Sequence, residues 1–418
     1  MEFIPRGRSG LGRRRLATAA FAAAIARPAL AQAPAELRLG AIFPLSGLLA
    51  LLGDESFRGV ELAAEERNAG GGVLGRPLRL IRADATDEVA AAAETRRLVG
   101  GNERVAAIFG SVASAVALPG SQVAEAAGVP WFELGAIGDG MMDRGFRWMF
   151  RAAPRAADFA AVGIESVAAV LAPALGRAAD SLRIAIAHED APGGASVGAA
   201  QEALARQRGL TLVERVAYAS RAADLNALVQ RLRGLEAEVV LHTGAPGDEL
   251  LLFRAFRDVA WWPRMVLGTA GGYGLTETAR SIGANFLGAM SADLTPFAVN
   301  ERHAPGARAF ADAYLRRYGA EPRSGHGLTA YVGAKLFLDA LHRAGSVEKE
   351  RIRAAVLSLD IAEGTTAAGW GARFDERGQN RRARPLLCQW QATQAGPRQV
   401  VVHPAEAAVA DAVGRLGG

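Results

Sequence analysis

One residue type suited to holding a ligand lies where a predicted strand gives way to a predicted helix. Ser114 follows the strand end Ile108–Gly110 and opens the next helix. A hydroxyl group beside the free N–H groups of a helix N-terminus favours an anion such as a carboxylate. A serine in this position also serves as a helix cap that touches no ligand. Residue type and spacing alone leave both roles of Ser114 open.

A second serine, Ser196, stands in the sequence Gly194-Ala195-Ser196-Val197-Gly198. This matches G-x-S-x-G, the nucleophile elbow of α/β-hydrolases, in which the serine sits on a sharp turn directly after a strand. The preceding strand is predicted to end near Ala187, which leaves residues 188–193 in between. The spacing therefore favours glycines that let a loop meet the start of a helix. An exported α/β hydrolase using Ser196 remains an alternative.

Metal, redox and cofactor chemistry have little support in the sequence. The six histidines are scattered, none forms an H-E-x-x-H motif, and Cys388 is the single cysteine. The run Gly271-Gly272-Tyr273-Gly274 lacks both the G-x-G-x-x-G spacing and a Walker lysine, so it predicts a flexible turn after a strand. We therefore expect no metal, no cofactor and no intrachain disulfide, with Cys388 buried near a C-terminal strand.

Residues 1–33 are typical of a cleaved export signal. Arg13-Arg14-Arg15 precedes an apolar run, Leu16–Ala26, that is too short to span a membrane, and Ala31-Gln32-Ala33 fits a small-x-small cleavage site. The paired arginines favour the twin-arginine route, with the general secretory route as the alternative. Removing this segment leaves equal numbers of basic and acidic residues. The full chain's net charge of +5 is therefore no argument for nucleic-acid binding.

The rest of the chain alternates short apolar segments with amphipathic ones, which predicts strands followed by helices. The predicted strands lack polar alternation, and this favours parallel sheets covered by helices on both faces. The pattern runs up to Leu134 and restarts after Arg151, so we expect two doubly wound units of the α/β class. A ligand would bind at the carboxyl ends of their strands. The helix Asp54–Asn68 is predicted to be capped by Asp54.

Three stretches of sequence carry a family resemblance. The first is Leu39–Gly47, followed by Gly53-Asp54, Gly59–Ala63, Asn68–Gly72, Gly75–Leu78 and Asp84. The second is Ile108–Ser114, and the third is Arg144–Phe146 with Phe150-Arg151. In this order and spacing they resemble the leucine/isoleucine/valine-binding protein family, the type I periplasmic binding proteins of branched-chain amino-acid ABC importers. The resemblance extends from about Leu37 to the region 369–390.

The resemblance implies the type I periplasmic binding protein fold, in which three hinge crossings join two doubly wound parallel-sheet lobes. We place the crossings near Arg151, Met290 and Gly371. The N-terminal lobe would comprise residues 34–151 and 291–370, and the C-terminal lobe residues 152–290 and 371–418. Hinge closure around the ligand would produce the form presented to the membrane permease.

The resemblance also implies which residues line the cleft between the lobes. Ser114, with the adjoining Val112 and Ala113, would hold the carboxylate of the ligand. A second strip on the same lobe, with Ala136 and Ile137, would add backbone contacts, although Ile137 stands where the family usually has a hydroxyl residue. The other positions that align with ligand contacts of the family are Leu52, Gly193, Ala245, Ala270, Gly271, Tyr273 and His326.

One of these positions departs from the family in a way that concerns the ligand itself. Ala270 stands where amino-acid-binding members carry the acidic partner of the ligand ammonium, and a buried ammonium without a partner is disfavoured. We therefore expect either a ligand that is not a simple α-amino acid or another partner for its ammonium. Glu133, Glu189 and Asp190 are the candidates. The small residues at the aligned positions also predict a roomier cleft, which suits a bulkier carboxylate or amide.

A ligand-sensing receptor module is a further alternative, because a fold alone does not distinguish binding functions. The sequence shows no output domain, no membrane span after the signal and no catalytic set beyond Ser196. We therefore expect a non-enzymatic periplasmic substrate-binding component of an ABC importer. It would be a monomer that binds a small organic solute, an amino acid or related carboxylate or amide. Its protein partner would be an inner-membrane ABC permease.

Overall fold

The computed structural model describes residues 35–101, 104–394 and 396–417, so the predicted export signal lies outside the described part of the chain. Most predicted elements occur within a few residues of their predicted bounds. The chain begins with β1 (Leu37–Phe43), α1 (Ala50–Ala69), β2 (Leu78–Asp84), α2 (Glu88–Val99), β3 (Ala107–Gly110), α3 (Ser114–Ala127), β4 (Trp131–Glu133) and β5 (Met149–Arg151).

The middle of the chain repeats the alternation of strands and helices. Its elements are α4 (Ala156–Ser166), a π-helical turn (Val167–Leu171), α5 (Ala172–Ala174), β6 (Ile184–Glu189), α6 (Pro192–Gln207), β7 (Leu212–Tyr218), α7 (Asn226–Gly234), β8 (Val239–Thr243), α8 (Asp248–Asp258), β9 (Met265–Thr269), α9 (Thr276–Ile282) and β10 (Met290–Asp293). The last part contains α10 (Ala307–Tyr318), α11 (Gly325–Arg343), α12 (Lys349–Leu357), β11 (Asp360–Ile361), β12 (Ala372–Arg373), β13 (Leu386–Thr393) and β14 (Gly396–His403).

Two large sheets organise most of these elements, and we call each of them with its covering helices a lobe. Strands β11 and β12 form a separate antiparallel pair. The first sheet has the order β2-β1-β3-β4-β5 and is parallel throughout. The second has the order β14-β13-β10-β9-β8-β6-β7. Its strands from β10 to β7 are parallel, while β13 and β14 form an antiparallel hairpin on β10. The predicted α/β class with parallel-sheet lobes is confirmed.

Each sheet is buried on both faces, as parallel sheets require. In the first lobe one core lies under α1, α10, α11 and α12, and a second lies under α2 and α3. In the second lobe one core lies under α7, α8 and α9, and the other under α4 and α6. Cys388 is fully buried on β13, where the sequence placed a small apolar residue.

The predicted cap of α1 is wrong. The helix begins at Ala50, after Leu49, and no side chain caps it. Asp54 lies in the second turn, where its carboxylate pairs with Arg58 at 2.9 Å and with Arg323 at 3.1 Å. An ion pair with a distant part of the chain therefore explains this aspartate, and local helix signals do not reveal such a partner.

The chain passes between the two sheets three times. The first passage follows Arg151 at the end of β5, and the second follows Asp293 at the end of β10. The segment after Gly371 still belongs to the first lobe, because Ala372, Phe374 and Ala383 pack in its core. The third passage therefore lies between Ala383 and Leu386, later than the sequence placed it.

The helical segment Ala156–Ala174 is the described helix whose length and hydropathy would allow it to cross a membrane. Half of its most apolar stretch is buried. Through Ile164 the segment packs on the second sheet, in the core that also contains Leu267 of β9. Burial of this kind is typical of a core helix.

Candidate functional site

Ser114 lies where β3 ends and α3 begins, on the edge of the first sheet that faces the second lobe. Ala113 precedes the helix in an extended conformation, and Ser114 is the first helical residue, with 6% of its surface exposed. Its Oγ accepts a hydrogen bond from the Gly138 backbone N–H at 3.0 Å. The hydroxyl therefore ties the start of α3 to the loop after β4, and these are the two strips that the sequence assigned to the first lobe.

The loop after β4 is held in place by a carboxylate within the protein. Glu133 Oε1 accepts hydrogen bonds from the backbone N–H groups of Ser111, Leu134, Gly135 and Ala136, at 2.8 to 3.1 Å. Its Oε2 accepts from the Trp131 indole at 3.0 Å. Since both oxygens already have internal donors, Glu133 is not free to receive a ligand ammonium.

Arg151 holds the same loop through hydrogen bonds from its guanidinium group. Its side chain is fully buried, and its Nη1 donates to the carbonyl oxygens of Ala136 and Gly138 at 3.1 and 2.8 Å. Its Nε donates to Gln379 Oε1 at 2.6 Å, which joins the loop to the segment that precedes the third passage. Burial lowers the pKa of Arg151 to about 10, so the guanidinium stays charged at neutral pH.

The two lobes meet next to Ser114. A β-carbon placed on Gly193, at the start of α6, would lie 3.6 Å from both Ser114 Oγ and Ile137 Cγ1. Ile137 also packs against a small apolar cluster of the second lobe that consists of Phe159, Ala270, Ala292 and Leu294. The structure thus brings together four of the predicted site residues, Ser114, Ile137, Gly193 and Ala270.

Ala270 has a backbone conformation that is unusual for a residue with a side chain. Its φ is +41°, and its N–H donates to Ala292 O at 2.9 Å. Such conformations cost about 1–3 kcal/mol and are concentrated at functional sites. The next residue, Gly271, would place a β-carbon 3.2 Å from Gly244 O, so the turns after β8 and β9, with Ala245 and Gly271, lie side by side.

The other predicted positions on the first lobe differ in their exposure. Val112 and Ala113 are partly buried against the two cores of the first lobe, whereas Ala136 and Leu52 are almost wholly buried. His326 is 6% exposed in the first turn of α11, with its Nδ1 3.2 Å from Ser324 Oγ. Burial lowers its pKa to about 4, so His326 is neutral at physiological pH.

Tyr273 lies inside the second lobe. It is fully buried, stacks on Phe286, and places its hydroxyl 2.8 Å from His242 Nδ1. His242 Nε2 is in turn 2.9 Å from the hydroxyl of Tyr218, which donates to Asp248 Oδ2 at 2.9 Å. Tyr273 therefore belongs to a hydrogen-bonded series of four side chains that ends at Asp248.

The carboxyl ends of the strands in the second lobe carry acidic residues that could bind a cation. Glu189 ends β6 and its carboxylate has no hydrogen-bond partner among the described residues. Burial raises its pKa to about 7, helped by the negative charges of Asp248 and Asp190. Burial also raises the pKa of Asp248, which starts α8. Asp190, by contrast, is exposed and accepts hydrogen bonds from Ser220.

The sequence named Glu189 among three candidates but did not single it out, and it missed Asp248 and Tyr218. The signal for Asp248 was present, because an acidic pair follows Gly247 in the short loop after strand β8. Nothing in the sequence shows that Tyr218 reaches Asp248, since the two residues lie on different elements and meet only in the folded lobe.

The arrangement around Ser196 does not match a nucleophile elbow. Helix α6 begins at Pro192, so Ser196 lies inside the helix and not on a strand–helix turn. The two glycines of the motif serve packing: a β-carbon on Gly194 would come within 2.7 Å of Glu189, and one on Gly198 within 2.3 Å of the His188 ring. Within the described ranges, no group of three or more His, Cys, Asp or Glu residues is arranged to hold a metal ion.

Comparison with known proteins agrees with this geometry. The model of the periplasmic binding protein family matches residues 36–394. The Leu/Ile/Val-binding protein homolog 7 of Brucella abortus (strain 2308) is 41% identical over 393 residues, which are 94% of this chain and 97% of the relative.

Two solved structures share the fold at low sequence identity. The substrate-binding protein LivJ of a Streptococcus pneumoniae branched-chain amino acid transporter, in complex with isoleucine, has a TM-score of 0.72 at 20% identity, with 88% of this chain and 100% of LivJ covered. A solute-binding protein of an ABC transporter from Rhodopseudomonas palustris BisB5, in complex with 3,4-dihydroxy benzoic acid, has a TM-score of 0.72 at 17% identity, with 87% and 95% covered. From the family match and the identity to its relatives, the chain belongs to the periplasmic binding protein family, as a solute-binding protein of the Leu/Ile/Val-binding type.

Proposed function

We propose that the protein binds an amino acid or a closely related carboxylate or amide between its lobes, with the carboxylate at Ser114 and the ammonium at Glu189. The observation that carries this proposal is a mostly buried carboxylate, without a partner among the described residues, that packs against the start of α6, the helix that approaches Ser114. Glu189 packs on Gly194, and the adjacent Gly193 approaches Ser114. The two groups that would bind the opposite charges of one small solute therefore contact consecutive residues, Gly193 and Gly194, at the start of α6.

The first-lobe end of the site suits an anion. The first N–H groups of α3 have no acceptor within the helix, and the helix dipole adds positive potential at this end. Ser114 Oγ, which accepts from Gly138, is free to donate its own proton to a carboxylate oxygen. Glu133 and Arg151 fix the neighbouring loop, so the donors are preorganised before the ligand arrives.

The second-lobe end suits a cation. An ammonium at Glu189 would supply the charge that the buried carboxylate lacks, and Asp248 would add a second negative group. Glu189 would thus take over the role that the family resemblance assigns to an acid at the position of Ala270. This explains how an α-amino acid can be bound despite that substitution.

We propose the remaining features of the function from the family. The protein would be exported to the periplasm by the signal in residues 1–33, through the twin-arginine route, and would deliver its solute to an inner-membrane ABC permease. It would act as a monomer that catalyses no reaction and binds no nucleic acid. LivJ of Streptococcus pneumoniae, solved with isoleucine, supports amino-acid binding in this fold.

A thermal-shift screen of amino acids, their amides and simple carboxylates tests the proposal. A ligand present at about 100 times its Kd stabilises the folded protein by about 2.7 kcal/mol. We expect at least one α-amino acid or amide to raise Tm by about 3 °C. A screen in which simple carboxylates without an ammonium bind as well as amino acids would contradict the charge-matched site.

Replacing Ser114 by alanine should weaken binding of the best ligand from that screen about tenfold or more, because a hydrogen bond to a charged group contributes about 1.5–3 kcal/mol. Calorimetric titration measures the affinity. Ser121→Ala is the matched control, since Ser121 lies on the same helix but donates to Ala117 O and accepts from Arg144. It should change stability and leave the affinity within about twofold. Equal affinities of the Ser114→Ala and unmodified proteins would refute the contact.

The affinity for an ammonium-bearing ligand should rise with pH up to about 7 and then level off. In the free protein the pKa of Glu189 is about 7, and only the ionised carboxylate pairs with an ammonium. Below this pH, binding must release a proton, so affinity falls by up to about tenfold per pH unit. Calorimetry at pH 6 in buffers of different ionisation enthalpy should detect about one proton released per ligand bound.

The stability of the ligand-free protein should show the opposite trend. A raised carboxyl pKa means that the folded state holds its proton longer than the unfolded state, so the contribution of Glu189 to stability is fully present below about pH 4.5 and is lost as pH rises to about 7.

In the variant Glu189→Gln the proton release that accompanies ligand binding should disappear. A proton release that persists in this variant would assign the titration to another group.

A further inference from the structure

We propose that the ligand site extends into the second lobe as a polar subsite, formed by Thr243, Thr269 and Gln201, that takes an uncharged hydrogen-bonding group of the solute. This inference rests on the proposed function and specifies it further. The preferred solute would be an amino acid whose side chain ends in a hydroxyl or carboxamide, in preference to one with a branched hydrocarbon.

The two threonines are neighbours at the end of adjacent parallel strands. Thr243 ends β8 and Thr269 ends β9, and the register holds these strands level through the preceding pair, His242 and Gly268. Residues two positions earlier on both strands pack in the core under α4 and α6, and side chains two apart share one face of a sheet. Both hydroxyls therefore point toward α4 and α6 at the carboxyl edge of the sheet.

Among the described residues, neither threonine hydroxyl has a hydrogen-bond partner, although both oxygens are buried. Gln201 on α6 is fully buried, and both atoms of its amide also lack a partner within the described part of the chain. Its Nε2 lies 3.5 Å from the β-carbon position of Gly163 on α4, and that position is also 3.5 Å from Leu267 on β9. The amide therefore lies between the two helices and over the strand that ends in Thr269.

Polar atoms that are buried without a hydrogen-bond partner destabilise the folded protein. A group of the solute that both donates and accepts hydrogen bonds would satisfy the four such atoms of these three residues. Hydroxyl and carboxamide groups can do both, because each carries a donor and an acceptor. A hydrocarbon side chain in this position would leave all four atoms unpaired.

The threonines are also close to the two features that define the proposed site. Thr269 pairs with Ala292, a member of the apolar cluster that joins the lobes at Ile137. Thr243 pairs with His188, the residue before Glu189. A solute whose ammonium lies at Glu189 therefore has its side chain within reach of this subsite.

Calorimetric titration with isosteric amino acids tests the subsite on the unmodified protein. The matched pairs are asparagine against leucine and threonine against valine, which differ in polarity and little in shape. We expect the polar member of at least one pair to bind tenfold or more tightly, because a site built for hydrogen bonds rejects an analogue that leaves them unpaired. Leucine and valine binding as tightly as their polar isosteres would overturn the subsite while leaving the proposed function in place.

The double variant Thr243→Val, Thr269→Val should abolish the preference and reduce the affinity for the polar amino acid tenfold or more. Its fold should persist, because valine has nearly the shape of threonine and the change removes two unpaired hydroxyls. Thr329→Val is the matched control, since Thr329 is also buried without a partner but lies on α11 in the first lobe. A preference that survives in the double variant would also overturn the subsite.

Failure of the proposed function itself has a different signature. In that case no amino acid, amide or carboxylate binds at all, and the isosteric pairs give no heat. The comparison of isosteres needs no variant, so misfolding of the double variant still leaves the subsite tested.

Discussion

Replacing Glu189 by glutamine should weaken binding of an ammonium-bearing ligand about 100-fold at pH 8. The carboxylate is mostly buried and has no partner within the described residues, so the ligand ammonium would be its only counter-charge. Removing one partner of a buried ion pair costs about 3–5 kcal/mol, because the other charge is left uncompensated. Calorimetric titration at pH 8 measures the effect, because the pKa of about 7 leaves Glu189 ionised there.

The neighbouring acid provides the control. Asp190 is exposed, and its carboxylate accepts hydrogen bonds from the N–H and hydroxyl of Ser220 at 2.8 and 2.7 Å. The Asp190→Asn variant should bind the ligand within about threefold of the unmodified protein, since exposed charges interact weakly through solvent. Glu189→Gln should also be at least as stable as the unmodified protein, because it removes a buried charge. Equal losses in the two variants would indicate a diffuse field in place of a direct ion pair.

The second large effect concerns stability. Arg151→Met should destabilise the protein by about 4 kcal/mol, because the variant leaves two buried carbonyl groups and the Gln379 amide oxygen without their charged donor. The midpoint of urea unfolding, followed by tryptophan fluorescence, measures this loss. We also expect weaker ligand binding in the folded variant, since Arg151 holds the carbonyls of the loop that contains Ile137.

Arg155→Met is the matched control for that variant. Arg155 lies four residues later, has about a third of its side chain exposed, and pairs with Asp158 at 3.6 Å. An exposed ion pair contributes about 0–1 kcal/mol, so the control should unfold at nearly the same urea concentration as the unmodified protein. An Arg151→Met variant that unfolds together with this control would show that the buried guanidinium is dispensable.

Much of the fold could be predicted from the sequence because its signals are local. Apolar segments without polar alternation marked the strands, and α3 begins at Ser114, as the sequence predicts. The start of α1 and the third passage between sheets could not be predicted in this way. Asp54 is explained by Arg323, and the segment around Gln379 by Arg151, and both partners are distant in sequence.

The site was predictable only in part, for the same reason. The resemblance singled out Ser114, and the structure places that serine where the lobes meet. The choice between Glu133, Glu189 and Asp190 depends on which carboxylate is already satisfied, and hydrogen bonds formed only on folding determine this. The same holds for Thr243, Thr269 and Gln201, since polar residues that lack partners cannot be recognised before the packing around them is known.

The hairpin of β13 and β14 has a consequence for how the polypeptide reaches its native state. Strand β13 pairs with β10 and β14 pairs with β13, so the second sheet receives its last two strands at one edge from the final part of the chain. The first core, in turn, includes Phe374 and Ala383, which follow the whole of the second α/β repeat. Neither half is therefore encoded by one uninterrupted stretch of sequence. We expect nascent chains that stop before Leu386 to lack an intact second half, so acquisition of structure is a late event that awaits the final strands.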